Sequence, residues 1–251
     1  MMKPITVALI GAGLRGMKYS EWSLQHPHDM RIVAVSEPNG LRRNRAKEKF
    51  GLPDEAVFET WEEMLERPRL ADAVFNCTRD RDHYRPAVKA LEAGYHVLLE
   101  KPMSPSWEEC AAIAEAADRC GRVLTVCHVL RYSPFFREIK RLLDEGRIGR
   151  LMSIQHNENV GYWHQAHSFV RGYFSRAEDS SPMILAKSCH DMDILFWLAG
   201  SRCTSLASYG RLSHFRPEFA PPGAPKRCLD GCPAAKDCPY YARNIYLTEK
   251  S

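Results

Sequence analysis

At 251 residues, 45% apolar and 26% charged, the chain has the composition of a globular protein with room for one large domain or two of ordinary size. Its net charge of +4 is too small and too dispersed to argue for a nucleic-acid partner. No apolar run approaches the roughly 20 residues of a membrane helix, and the nine cysteines without a secretory pattern read as reduced thiols of a cytoplasmic protein.

The first predicted strand is Ile5 to Ile10, short, apolar and β-branched. Gly11-Ala12-Gly13-Leu14-Arg15-Gly16 follows at once, and Met17 to Gln25 can continue as a helix. Strand, glycine turn and helix together make a dinucleotide-binding hypothesis. Gly11 permits the tight turn, Gly13 lets a pyrophosphate approach the backbone, and Gly16 lets helix and strand pack closely. Leu14 and Arg15 open the helix whose free N–H groups would face the phosphates. A glycine turn without a ligand is the alternative.

Strand and helix then alternate. Arg31 to Ser36 reads as a strand, and Leu41 to Phe50 as a helix closed by Gly51. Thr60 with Glu63 and Ser106 with Glu109 are capping-box patterns. Asp72 to Asn76, His96 to Leu99 and Val123 to Val126 read as buried strands, and His83 to Ala93 as a helix stopped by Gly94. Strands separated by helices of this length predict right-handed crossovers and a parallel sheet over residues 1–127. From 128 to 251 the texture changes. Ser133-Pro134 caps a helix to Asp144. Leu151 to Asn159 and Cys203 to Leu212 are predicted strands, His190 to Leu198 a helix stopped by Gly200, and Tyr240 to Leu247 a further helix.

Several groups have the chemistry of a site. Glu37 ends the second strand about 20 residues past the glycines, where a carboxylate can accept the ribose hydroxyls and repel a 2′-phosphate, favouring NAD over NADP. Arg42 and Arg43 are near enough in sequence to soften that preference. An ordinary surface carboxylate is the alternative. Glu100-Lys101-Pro102 follows a strand directly, at the sheet edge where ligands bind. A lysine there can hydrogen-bond a reacting oxygen or pass a proton; a surface lysine paired with Glu100 is the alternative. Residues 160–173 include Tyr162 and Trp163 among many aromatics and hydrogen-bonding groups, suited to a sugar-binding wall or to plain packing. Arg131 and His128 follow the last predicted strand and can reach the same cleft. Cys228-x3-Cys232-Pro-x4-Cys238 can supply three ligands of a tetrahedral zinc site, with His214 or Cys203 as a fourth, or can be reduced structural thiols or a disulfide.

The glycine turn, followed by Ala93-Gly94-Tyr95-His96-Val97-Leu98-Leu99-Glu100-Lys101-Pro102, resembles the glucose–fructose oxidoreductase / inositol dehydrogenase / MocA (Gfo/Idh/MocA) family across the whole first half. Arg131-Tyr132-Ser133-Pro134 and Gly146-Arg147-Ile148-Gly149 fit the start of that family's second domain. The resemblance implies a Rossmann domain followed by an α/β substrate and oligomerisation domain built on a largely antiparallel sheet. Against the family's length the second domain is expected to be short at its C-terminal end and truncated; were it complete, its sheet would have an exposed edge. It implies NAD(P)-dependent oxidation or reduction of a sugar, cyclitol or polyol by a homo-oligomer. By position, Thr78 and His83 border the cofactor, and Glu100 and Lys101 stand at the nicotinamide end. The family's Asp-x-x-x-His element falls on Ala186 to His190. His190 matches, so Lys101 and His190 are the implied catalytic pair. Ala186 replaces the aspartate, and Lys187, His190 and Asp191 are the available substitutes at the substrate. The departure at Ala186 leaves open a non-catalytic NAD-binding sensor or inactive fragment. An enzyme that recycles its NAD within one turnover, for hydrolysis or epimerisation, is a third reading.

Overall fold

The computed structural model describes residues 3–247. Six strands form one sheet: β1 Ile5–Ile10, β2 Met30–Ser36, β3 Val57–Phe58, β4 Ala73–Asn76, β5 His96–Leu99 and β6 Leu124–Val126. Every pairing is parallel, and the order is β3-β2-β1-β4-β5-β6. The chain therefore changes direction across the sheet between β1 and β4, which opens a crevice at their carboxyl ends. The helices of this half are α1 Leu14–Ser20, α2 Trp22–Gln25, α3 Gly40–Phe50, α4 Trp61–Leu65, α5 Tyr84–Glu92 and α6 Trp107–Cys120.

Alternation along β1 supplies both cores. Val7 and Leu9 face one side, with Ile32, Val35, Ala46 and Leu52. Ala8 and Ile10 face the other, with Val74, Val97, Leu91 and Ile113. A parallel sheet covered on both faces needs such unbroken apolar strands. The predicted caps are present. Thr60 accepts from the Glu63 amide at 3.2 Å and Ser106 from the Glu109 amide at 3.3 Å. Gly51 and Gly121 end α3 and α6 in the left-handed conformation, at φ 63° and 59°. The single predicted helix from Met17 to Gln25 is α1 and α2, joined through Glu21, whose own backbone is helical.

Beyond β6 the expectation of a largely antiparallel α/β domain is overturned. Among the described residues this half consists of helices and irregular chain: α7 Pro134–Asp144, α8 Tyr162–His164, a π-helical turn Gln165–Arg171, α9 Met183–Ala199 and α10 Ala242–Tyr246. The segments 151–159 and 203–212, expected as strands, join no ladder. Alternation is a local signal, whereas a strand holds only when a partner takes its backbone hydrogen bonds. Met152, Leu206 and Tyr209 are accordingly 75%, 78% and 96% exposed. The sheet through which a homo-oligomer was expected is thus not formed among the described residues. α9 is longer than the sequence signal at His190, because its first turn starts on the Pro182 carbonyl, which accepts from the Leu185 and Ala186 amides at 2.9 Å. Among the described residues no helix is long and apolar enough to cross a membrane.

Candidate active site

The glycine turn lies at the crevice between β1 and β4. Gly11 has φ +86°, and a Cβ there would lie 2.6 Å from the Cys77 carbonyl oxygen. A Cβ on Gly16 would lie 2.1 Å from the Gly11 carbonyl oxygen. Gly13 is different: nothing lies within 4 Å of the place a Cβ would take. Two glycines are enforced by packing, and the third leaves open space before the first turn of α1, where Leu14 and Arg15 are exposed. Beside the turn is a cleft of about 370 Å³, lined by Gly11, Ser36, Pro38, Trp61, Thr78 and Arg81 among others. A hollow of about 390 Å³ between α4 and α5 lies away from the glycine turn. The open backbone at Gly13 and the adjoining cleft fit a dinucleotide.

Glu37 is buried and turned toward the glycine turn. Its Oε2 accepts from the Ala12 amide at 2.8 Å and its Oε1 from the Asn39 amide at 3.0 Å. Each oxygen retains a lone pair for a ribose hydroxyl. The same contacts hold the Gly11–Gly13 backbone in shape, a structural job the sequence spacing did not show. Arg43 donates to the backbone oxygens of Glu37 at 2.5 Å and Pro38 at 3.1 Å. The predicted cofactor-border residues also interlock. Thr78 Oγ1 donates to Asn76 Oδ1 at 2.8 Å, and Asn76 Nδ2 donates to the His83 carbonyl at 2.9 Å. The fully buried His83 ring has Nδ1 2.8 Å from the Pro102 carbonyl oxygen and Nε2 3.2 Å from that of Thr78. His83 thus ties the loop after β4 to the turn after β5 rather than lining open space.

That turn carries Glu100 and Lys101. Glu100 is buried; its Oε1 accepts from the Tyr19 hydroxyl at 2.5 Å and its Oε2 from the Lys101 amide at 2.7 Å. Burial first, then this hydrogen bond, raises the Tyr19 phenol well above its ordinary value. Burial, with the Glu100 charge, pushes the neighbouring Cys127 thiol up to about 12. Neither α1 nor β6 advertises these contacts, and Tyr19 is a site neighbour that sequence reasoning missed. The Lys101 side chain reaches across to α9, where Nζ donates to the Ala186 carbonyl at 2.9 Å. Lys101 therefore does not pair with Glu100 as a surface lysine would.

His190 lies one turn along α9 from Ala186. Its Nδ1 is buried without a hydrogen-bond partner, as is Nδ1 of His128, and the two rings meet edge to face at 6.0 Å. Burial, then the charge of Lys101, lowers the His190 pKa to about 4. His128 is lowered as well, chiefly by burial. Lys187 is half-buried, and its amine is lowered by burial and then by Lys101. The structure thus brings Lys101, Lys187 and His190 together at the carboxyl edge of the sheet.

Other predicted substrate residues are engaged elsewhere. Asp191 is buried on a hydrogen bond with His156, at 2.7 Å. Arg131 makes a bidentate pair with Asp193, at 2.7 and 2.6 Å, with Trp197 beneath it. That pair fastens the turn after β6 to α9, three residues beyond His128 and His190 respectively. Tyr162 packs edge-on against Tyr240, and Trp163 stacks on His164. Both are more than half exposed. Among the described residues no three His, Cys, Asp or Glu side chains converge to hold a metal, so of the readings open to Cys228, Cys232 and Cys238 the structure shows free thiols. Their sequence proximity does not produce convergence because the segment between them is a run of turns; Cys228 instead lies 3.7 Å from Arg171.

The parallel order, the crevice and the glycine turn define a doubly wound dinucleotide-binding domain with helices of the following segment laid over its carboxyl edge. Residues 5–128 match the profile described as an oxidoreductase family with an NAD-binding Rossmann fold, and residues 136–228 match the GFO/IDH/MocA C-terminal domain. The chain belongs to the Gfo/Idh/MocA oxidoreductase family, and its first half is that family's NAD-binding domain. It is similar to the putative oxidoreductase YteT of Bacillus subtilis, 32% identical over 74% of this chain and 44% of the relative. It is also similar to inositol 2-dehydrogenase 2 of Saccharopolyspora erythraea, 29% identical over 86% of this chain and 60% of the relative. The fold matches that of scyllo-inositol dehydrogenase from Lactobacillus casei, solved with NAD(H) and scyllo-inositol. The TM-score is 0.67 at 24% identity, over 79% of this chain and 57% of that one. The chain spans about half the length of the relatives it matches.

Proposed function

We propose that the chain serves NAD-dependent hydride transfer between nicotinamide and a CH–OH carbon of a sugar, cyclitol or related polyol. One observation carries this reading. The Lys101 ammonium, leaving the end of β5, lies against α9 one turn from His190, so two proton-handling groups share the carboxyl edge beyond the glycine turn. Gly13 and the first turn of α1 would receive the pyrophosphate, Glu37 the adenosine ribose, and Thr78 the border of the cofactor, while NAD itself supplies the hydride acceptor. Lys101 donates a hydrogen bond to the reacting oxygen. His190, neutral from about pH 5 upward given a pKa of about 4, presents an acceptor to the hydroxyl proton. Tyr19 and Glu100 fix the turn that aims Lys101. Lys187 lies beside them, toward the substrate. Tyr162 and Trp163 belong to the outer wall, while Arg131 through Asp193 and His156 through Asp191 fasten the turn after β6 and the 151–159 segment to α9.

We place a division near residue 127, where the last strand ends and the helical segment begins, supported by the break between the two family matches. Nine free thiols support a reducing, cytoplasmic setting. The exposed apolar side chains of 152 and 206–212 support self-association, which light scattering of the full chain reads. The test of the function is substrate-dependent NADH formation on a panel of sugars and polyols. NADH binding with no turnover on that panel would favour instead a non-catalytic sensor. Ala186, at the position where the family's element has aspartate, speaks for that second reading.

A further inference from the structure

Three cations face the junction of the strand ends and α9, and among the described residues none has a carboxylate partner. They are Lys101, whose Nζ rests on a neutral carbonyl, Lys187 on the next residue along α9 from that carbonyl, and Arg15 in the first turn of α1. The acids around them are already matched. Glu100 accepts from Tyr19 and the Lys101 amide. Asp191 is held by His156 and Asp193 by Arg131. Asp80 accepts from Ser181. Glu158 is the one other carboxylate whose field reaches Lys187, and it is exposed. The histidines of the site add no negative charge. The amine of Lys187 is held down by burial and then by Lys101, and His164 by burial, then Lys187.

A pyrophosphate at the glycine turn would account for Arg15, which stands on the first turn of α1. It would not account for Lys187, which follows the Ala186 carbonyl that Lys101 reaches and whose amine feels the Lys101 charge. Cations gathered where the neighbouring acids are engaged by other partners or exposed are arranged for a ligand that brings the anion. An oxidised nicotinamide, itself cationic, would increase that demand. Building on the oxidoreductase reading above, we infer that the substrate is an anionic sugar or polyol. Its carboxylate or phosphate would lie on Lys187 while the reacting hydroxyl lies on Lys101.

The test uses the full chain, titrated calorimetrically with D-glucuronate, glucose 6-phosphate, glucose and myo-inositol, with and without NADH, at low and high salt. One acid is expected to bind at least about tenfold tighter than glucose or myo-inositol, as a charge-assisted contact does over a neutral one. High salt should shrink that advantage. Glucuronate as the tighter ligand assigns a carboxylate, and glucose 6-phosphate a phosphate. Lys187→Gln should abolish the preference while leaving NADH affinity and the thermal midpoint unchanged. Equal binding of acids and neutral sugars, or a preference that survives in Lys187→Gln, overturns the inference. Failure of NADH to bind would instead strike the oxidoreductase reading, and the titrations without cofactor still decide the anion question.

Discussion

The two halves of the chain are built by different rules. Up to Cys127, each apolar strand is covered on both faces, and three helices begin on side-chain caps from Asn39, Thr60 and Ser106. Beyond it, the buried apolar side chains among the described residues are Ala166, Ala186 and Ile194. What holds the second half to the first is largely polar. Lys101 reaches the Ala186 carbonyl, Arg131 grips Asp193, Ser181 donates to Asp80, and Arg81 donates to the Ala177 carbonyl at 2.6 Å. The lesson is a division of labour. The first half is a rigid scaffold fixed by burial; the second is a cover fixed by a few directional contacts, and it carries His190 to the site.

The largest effect should come from breaking the scaffold. Gly16→Val places side-chain atoms where a Cβ already meets the Gly11 carbonyl oxygen at 2.1 Å. It should cost about 3 kcal/mol in denaturant unfolding and remove NADH binding. Lys101→Ala should leave NADH affinity intact and lower turnover by about 10²–10⁴-fold, the range of a lost general acid–base group. Turnover unchanged in that variant would remove Lys101 from the mechanism.

Weaker tests bear on the cover. Arg131→Ala leaves Asp193 without its partner. Because Arg131 is partly exposed, the expected loss is about 1 kcal/mol. Hydrogen exchange in α9 should rise while exchange in β1 and β4 stays fixed. Acid is a further probe. His190 has a folded pKa of about 4 against an ordinary 6.5, so between those values the unfolded chain binds more protons. Stability should therefore be full above pH 6.5 and fall as pH drops toward 4. His190→Asn should reduce that slope, leaving the share of His128 and His164, which burial also lowers; an unchanged slope would show that burial of His190 is not a source of it. The smallest contrast is between caps. Ser106→Ala, at the start of α6 in the core, should cost about 1 kcal/mol of global stability. Ser133→Ala, at the start of the peripheral α7, should show mainly as local fraying in hydrogen exchange.

The same division explains what could be read from sequence. The Rossmann half was legible because its signals are local and agree: the glycine turn, the buried strands, and caps at Thr60, Ser106 and Gly51. The second half was not, because 151–159 and 203–212 carry an alternation that only a pairing partner turns into a sheet. Lys101 and His190 could be nominated from motif positions, but their approach through Ala186 depends on where α9 lies. Tyr19 against Glu100, His156 against Asp191 and Arg131 against Asp193 are long-range pairs of ordinary residue types. The thiols of Cys228, Cys232 and Cys238 show the reverse failure, a compact spacing whose side chains the turns between them do not gather.

The proposed function requires scaffold and cover to meet in one hydride-transfer site. The direct measurement is NADH formation by the full chain and by Lys101→Ala on one sugar and polyol panel, with NADH dissociation constants measured beside it. Substrate-dependent NADH formation is expected, falling by at least about a hundredfold in Lys101→Ala with NADH affinity unchanged. NADH binding without turnover on any member of the panel, or equal turnover in both proteins, would contradict it.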